Sequence, residues 1–167
     1  YRKLNLLDSL TKKGAWHMWE YRLQSFELKG KTHGFIGFGN IGKMTAKLSQ
    51  VFGTKIIYYD KFRLNEEEER RYNYSYMELD DVFRNSDVIS IHISLNKETM
   101  NLISDRELKL MKRNAVLINV SRGNILDEDA LFRALSNKLI SGAAIDTWAN
   151  EPINADNPLL KFDNVIA

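Results

Sequence analysis

Short apolar runs alternate with stretches of helical period along most of the chain. THGFIGF (32–38), KIIYY (55–59), VISIHI (88–93), AVLINV (115–120), GAAID (142–146) and NVIA (164–167) cluster their apolar residues instead of alternating them with polar ones. That is the pattern of strands buried on both faces, as in a parallel sheet with helices above and below. Between them, IGKMTAKLSQVF (41–52), SYMELDDVFRN (75–85), SDRELKLM (104–111) and DEDALFRALSN (127–137) have the period of amphipathic helices. Strand and helix in repeated alternation predict an α/β fold with a doubly wound parallel sheet. A further short strand is predicted near YNYSY (72–76), and the acidic run NEEEERR (65–71) reads as a solvated connection.

Residues 1–28 break this rhythm: Trp16, Trp19, Tyr21 and Leu23 crowd a polar stretch ahead of the first strand. The segment is predicted to be a leading helical piece that packs on this domain or on a neighbour, with the α/β domain spanning 29–167. Composition narrows the function classes. With 24 Lys and Arg against 22 Asp and Glu, the net charge is +2, and no basic block could seat a phosphate backbone. The absence of cysteine excludes disulfides and thiolate metal sites, and His17, His33 and His92 have no metal-ligand spacing. No metal, nucleic-acid or membrane partner is expected, and the reading is of a soluble, cytoplasmic protein.

The chemistry begins where the first strand runs into GFGNIG. Gly37 permits a tight turn, Gly39 lets backbone approach a pyrophosphate, and Gly42 seats the following helix on the strand. The N–H groups of Asn40 and Ile41 would meet the anion along the helix dipole. Asp60 ends the next strand roughly 20 residues on, where a carboxylate accepts from an adenosine ribose and repels a 2′-phosphate. NAD is therefore favoured over NADP, although Lys61 and Arg63 stand close by. Further along, a buried strand ends in Ser121-Arg122-Gly123, and another ends in Asp146 with Glu151 following. An arginine and two acids thus share the sheet edge that holds the glycine loop.

At this point the sequence resembles the D-isomer-specific 2-hydroxyacid dehydrogenases, the family of phosphoglycerate, glycerate, formate and D-lactate dehydrogenases. The matching text is ELKGKTHGFIGFGNIGK, SDVISIHISLNKETMNLIS, LMKRNAVLINVSRGNILDEDAL and SGAAIDTWANEP, with NPLLKFDNVIA behind it, in the family's order. The resemblance implies a Rossmann-type NAD-binding domain inserted in a split substrate domain that this chain lacks. It implies that Asn40 and Ile41 hold the pyrophosphate and Asp60 the ribose, that Ile93, Ser94 and Thr99 line the cofactor, and that Val120, Ser121 and Arg122 lie beside the nicotinamide with Asp146 at its carboxamide. Arg122 matches the catalytic arginine that binds the substrate, and Glu151 the acid that hydrogen-bonds the catalytic histidine. That histidine is expected past Ala167, so the fragment alone is expected to be inactive. Where Ser94 stands the family usually has proline.

The expected function is hydride transfer between NAD(H) and a D-2-hydroxy acid/2-oxo acid pair. The competing readings are an NAD(H)-sensing, non-catalytic domain of corepressor type and a Rossmann domain for another nucleotide cofactor. By analogy the protein is expected to form a homodimer, with Trp16, Trp19 and Tyr21 as anchors.

Overall fold

A computed structural model describes residues 3–17, 19–22 and 25–167. Leu23, grouped above with the leading aromatic residues, lies outside the described residues. The elements run α1 (Leu4–Lys12), β1 (Thr32–Ile36), α2 (Asn40–Val51), β2 (Lys55–Tyr59), α3 (Glu66–Tyr72), β3 (Tyr74–Tyr76) and α4 (Leu79–Asn85). They continue with β4 (Val88–Ile91), α5 (Asp105–Leu110), β5 (Val116–Asn119), α6 (Glu128–Ser136), β6 (Gly142–Ile145) and β7 (Val165–Ile166). All seven strands are parallel, in the order β3-β2-β1-β4-β5-β6-β7. This is the doubly wound Rossmann-type sheet, and its order reverses at β1 and β4, the switch point where such sheets bind ligands.

Adjacent residues of one strand feed different cores. Ile36, Ile89, Ile91 and Leu117 join the larger core beneath α4, α5 and α6. Phe35, Ile56 and Tyr58 join a smaller aromatic core on the opposite face, with Phe38, Ala46 and Tyr74. Small residues bring the helices close: α2 buries only Gly42, Ala46 and Ser49. On the other face, a side chain at Gly34 would collide with Ser86 of the α4 cap, its Cβ lying 2.0 Å from the Ser86 hydroxyl. The buried polar groups beside β1 are matched, although the Tyr74 hydroxyl of the small core is buried without a partner. The buried His33 ring meets the hydroxyls of Ser49 at 2.9 Å and Ser90 at 2.8 Å, and Ser49 meets Thr54 at 2.8 Å. One imidazole thus ties β1 to α2 and β4, and desolvation lowers its pKa to about 4.

Two segments differ from the sequence expectations. The acidic run is helical, because Asn65 caps it by accepting from the Glu68 N–H at 2.8 Å, glutamates fill the positive end and Arg70 and Arg71 the negative end. The helix predicted over 75–85 is divided: Tyr74–Tyr76 pairs with β2, and helix begins only at Leu79. Edge pairing has overridden the helical period there. Among the described residues of 1–28 the α-helix is α1, which buries none of its residues.

Candidate functional site

The carboxyl ends of β2, β1, β4, β5 and β6 place five loops side by side in that order. Asp60 comes first, then the glycine loop, the 92–99 loop, Val120 to Arg122, and finally Asp146 to Glu151. At ~4.8 Å per strand step the row is about 19 Å wide, a span suited to an extended dinucleotide.

The glycine loop is shaped by close packing. Gly37 has φ +89°, and a Cβ on it would lie 2.7 Å from the His92 carbonyl carbon. A Cβ on Gly42 would lie 2.7 Å from the Gly37 oxygen, so the helix sits directly against the turn. Gly39 is different: nothing lies within 4 Å of where its side chain would be. Its lack of a side chain relieves no clash within the chain and keeps the surface open for something else. Asn40 and Ile41 begin α2, where first-turn N–H groups have no intrahelical acceptor and suit an anion. The donor set and the open space above Gly39 fit a pyrophosphate.

Asp60 secures this loop from the side. One carboxylate oxygen accepts from the Phe38 N–H at 2.6 Å and the other from the Phe62 N–H at 2.8 Å. Each oxygen retains acceptor capacity for a ribose hydroxyl. Next along the row, Thr99 is buried and staples its own loop, donating to the Ser94 carbonyl at 2.7 Å and accepting from the Asn96 N–H at 2.8 Å. Ile93 is half-buried with its methyl group near Gly37, and Ser94 is exposed. The His92 ring stacks on Phe35, and its Nε2 is buried without a hydrogen-bond partner; burial lowers its pKa.

At the other end Val120 is exposed and Ser121 half-buried. Arg122 is exposed, and its guanidinium donates from Nη1 to the Ser121 carbonyl at 2.7 Å. Glu151 is exposed too and accepts from the Trp148 N–H at 2.9 Å. The two loops press together, since a Cβ on Gly123 would lie 1.9 Å from the Trp148 carbonyl carbon. Asp146 is exposed at the end of β6, with its N–H bound to the Asn119 carbonyl at 2.9 Å. Arg122, Asp146 and Glu151 therefore reach one corner of the sheet without neutralising one another.

Two residues that the sequence reading did not single out position this corner. Asn119 is fully buried; its Oδ1 accepts from the Ser121 N–H at 3.1 Å and hydroxyl at 2.9 Å, and its Nδ2 donates to the Arg122 carbonyl at 3.0 Å. Glu128, at the start of α6, accepts from the Ala149 N–H at 2.7 Å and the Asn157 amide at 3.0 Å, holding the loop that carries Glu151. The signal for Asn119 was a polar residue closing an otherwise apolar strand. Glu128 gave none beyond its place in a helical first turn. Among the described residues no cluster of His, Asp or Glu could hold a metal, and no helix is long and apolar enough to cross a membrane.

Comparison with known proteins agrees with this geometry. Residues 1–167 match the family described as D-isomer specific 2-hydroxyacid dehydrogenase, NAD binding domain. A glyoxylate reductase from Thermofilum pendens is 42% identical over 99% of this chain and 49% of its own length. A D-3-phosphoglycerate dehydrogenase from Archaeoglobus fulgidus is 35% identical over 99% of this chain and 31% of its own. Among solved structures, D-lactate dehydrogenase with NAD+ from Lactobacillus jensenii superposes with a TM-score of 0.87 at 35% identity, covering 99% of this chain and 52% of that one. The chain spans about half the length of most of the relatives it matches. It belongs to the D-isomer-specific 2-hydroxyacid dehydrogenase family, as that family's NAD-binding domain.

Proposed function

We propose that this domain is the cofactor half of an NAD-dependent oxidoreductase that interconverts a D-2-hydroxy acid and its 2-oxo acid, with a small 2-oxo acid such as glyoxylate as substrate. The observation that carries the reading is the single row of loops, with an open anion cradle at one end and an unneutralised arginine at the other. NAD supplies the hydride chemistry when bound. Asn40 and Ile41 hold its pyrophosphate, Asp60 its ribose, Ile93, Ser94 and Thr99 its flank, and Val120, Ser121 and Asp146 its nicotinamide end. The Arg122 guanidinium suits the substrate carboxylate and carbonyl oxygen, because its planar fork meets a carboxylate bidentately.

Reduction also needs a proton at the substrate oxygen. None of the three histidines is placed to give it: His33 is engaged on both ring nitrogens, His17 pairs with Glu20 at 3.2 Å, and His92 stacks behind the glycine turn. The proposal assigns the donor to a histidine outside these 167 residues, with Glu151 as its carboxylate partner. The named relatives are reductases and dehydrogenases, which gives no support to the sensing alternative.

The proposal extends to a cytoplasmic homodimer. Its support is an unpartnered outer face of α2, where Met44, Leu48 and Val51 are exposed, together with Trp16 and Trp19 at 74% and 66% exposure. Light scattering should show a smaller species for Trp16→Ala/Trp19→Ala, and an unchanged oligomer would oppose this interface. For the activity, Arg122→Ala in the enzyme carrying this domain should cut glyoxylate reduction by roughly a thousandfold while NADH affinity stays within about twofold. Unchanged turnover would sink the assignment.

A further inference from the structure

The strand order puts β2 and β4 on either side of β1, so the segments leaving their carboxyl ends flank the glycine loop. Across that gap the Lys61 ammonium pairs with the Glu98 carboxylate. Both ends are anchored in fixed turns. Lys61 follows Asp60, which is held by the Phe38 and Phe62 N–H groups. Glu98 donates its own N–H to Asn96 Oδ1 at 2.8 Å, within the turn that Thr99 staples.

The second cation near Asp60 is also engaged. Arg63 donates from Nε at 2.9 Å and from Nη2 at 2.8 Å to the Glu69 carboxylate, which in turn accepts from the Tyr58 hydroxyl at 2.7 Å. A dinucleotide with a 2′-phosphate would need one of these cations to offset its charge beside Asp60. Arg63 is held by a bidentate pair with a third hydrogen bond behind it, so Lys61 is the more easily recruited. It is held by a single exposed contact, a kind worth little to the fold.

We propose that Glu98 is a cofactor-specificity residue: by engaging Lys61 across the glycine loop, it withholds the cation that a 2′-phosphate would recruit and so favours NAD(H) over NADP(H). This rests on the reading of the chain as a dinucleotide-binding domain. Asp60 supplies the repulsion and Glu98 removes the compensation, so discrimination is shared between two strands. Consistent with the pairing, Glu98 raises the pKa of Lys61, and Lys61 lowers that of Glu98.

The test is a fluorescence titration of NADH and of NADPH into wild type, Glu98→Gln, Lys61→Met and the double variant, each first checked for an unchanged melting temperature. Wild type should bind NADH more tightly than NADPH. Glu98→Gln should improve NADPH binding roughly fivefold and leave NADH within about twofold, with the gain shrinking at 0.5 M salt. Adding Lys61→Met should erase the gain, because the freed cation is its source. The proposal is overturned if Glu98→Gln leaves the NADPH-to-NADH ratio unchanged, or if the gain survives in the double variant. Failure of wild type to bind NADH would instead overturn the dinucleotide reading, and this inference with it.

Discussion

The two ends of the loop row are built from different materials. At the β1–β2 end the working groups are peptide N–H donors, set by a left-handed Gly37 wedged against His92 and by Asp60 fastening Phe38. At the β5–β6 end they are exposed side chains, Arg122 and Glu151, whose backbones are fixed from below by Asn119 and Glu128. A backbone cradle suits a constant pyrophosphate, since its donors cannot rotate away or lose charge. A charged corner left unneutralised suits a substrate that brings its own carboxylate. The contrast shows why the cradle is fully formed here, while the corner presents a guanidinium and a carboxylate with no direct contact between them.

Substitutions at the two ends should have different consequences. The largest effect on the fold should come from Gly123→Ala, because the new methyl would meet Trp148 backbone that cannot move without shifting the Glu151 loop. Urea denaturation should register a loss of about 3 kcal/mol, with Arg122-dependent turnover lost as well. A fully stable Gly123→Ala protein would mean that the two loops are not locked together.

Acid should come next, acting behind the cradle. His33 has a folded pKa of about 4, against 6.5 for the free side chain. Between those values the unfolded chain binds the proton and the folded chain does not, so stability is complete above pH 6.5 and falls as the pH drops towards 4. By pH 5 the loss should be about 2 kcal/mol. Urea melts at pH 7 and pH 5 would check this, with His33→Gln removing most of the difference. An identical slope in the variant would assign it to other groups.

Asn119→Ala should cost about 1.5 kcal/mol by stranding the Ser121 N–H and removing one of the two hydrogen bonds to the Arg122 carbonyl. Turnover should fall further than NADH affinity, since the loop it releases carries Arg122. Equal losses in both would make Asn119 a general structural residue. The smallest effect on the fold belongs to Gly39→Ala. The added methyl meets nothing, so stability should change by less than about 1 kcal/mol while NADH affinity falls roughly tenfold. Calorimetry and titration on one preparation would separate the two, and unchanged NADH affinity would show that the cradle does not face the cofactor.

Much of this was legible in the sequence because the physics is local. Clustered apolar runs gave the buried strands, and the glycine spacing gave the turn. The short strand expected near 72–76 is present as Tyr74–Tyr76, and its pairing with β2 is what cut back the helix predicted over 75–85; the glutamate run became helix through a local cap, Asn65, hidden by the density of like charge. Asn119 bonds its own neighbours Ser121 and Arg122 and was hidden by the apolar run that it closes, whereas Glu128 was passed over because its hydrogen-bond partners, Ala149 and Asn157, lie on a distant loop. The Lys61–Glu98 pair is similar, since only the strand order brings residues after β2 next to residues after β4.

The most direct test of the central claim is a titration of NADH into the 167-residue chain, run in parallel on wild type, Asp60→Ala and Arg122→Ala. One saturable site is expected, weakened roughly tenfold by Asp60→Ala and left within about twofold by Arg122→Ala. No saturation, or equal loss in both variants, would contradict a cofactor cradle that stands complete and apart from the catalytic corner.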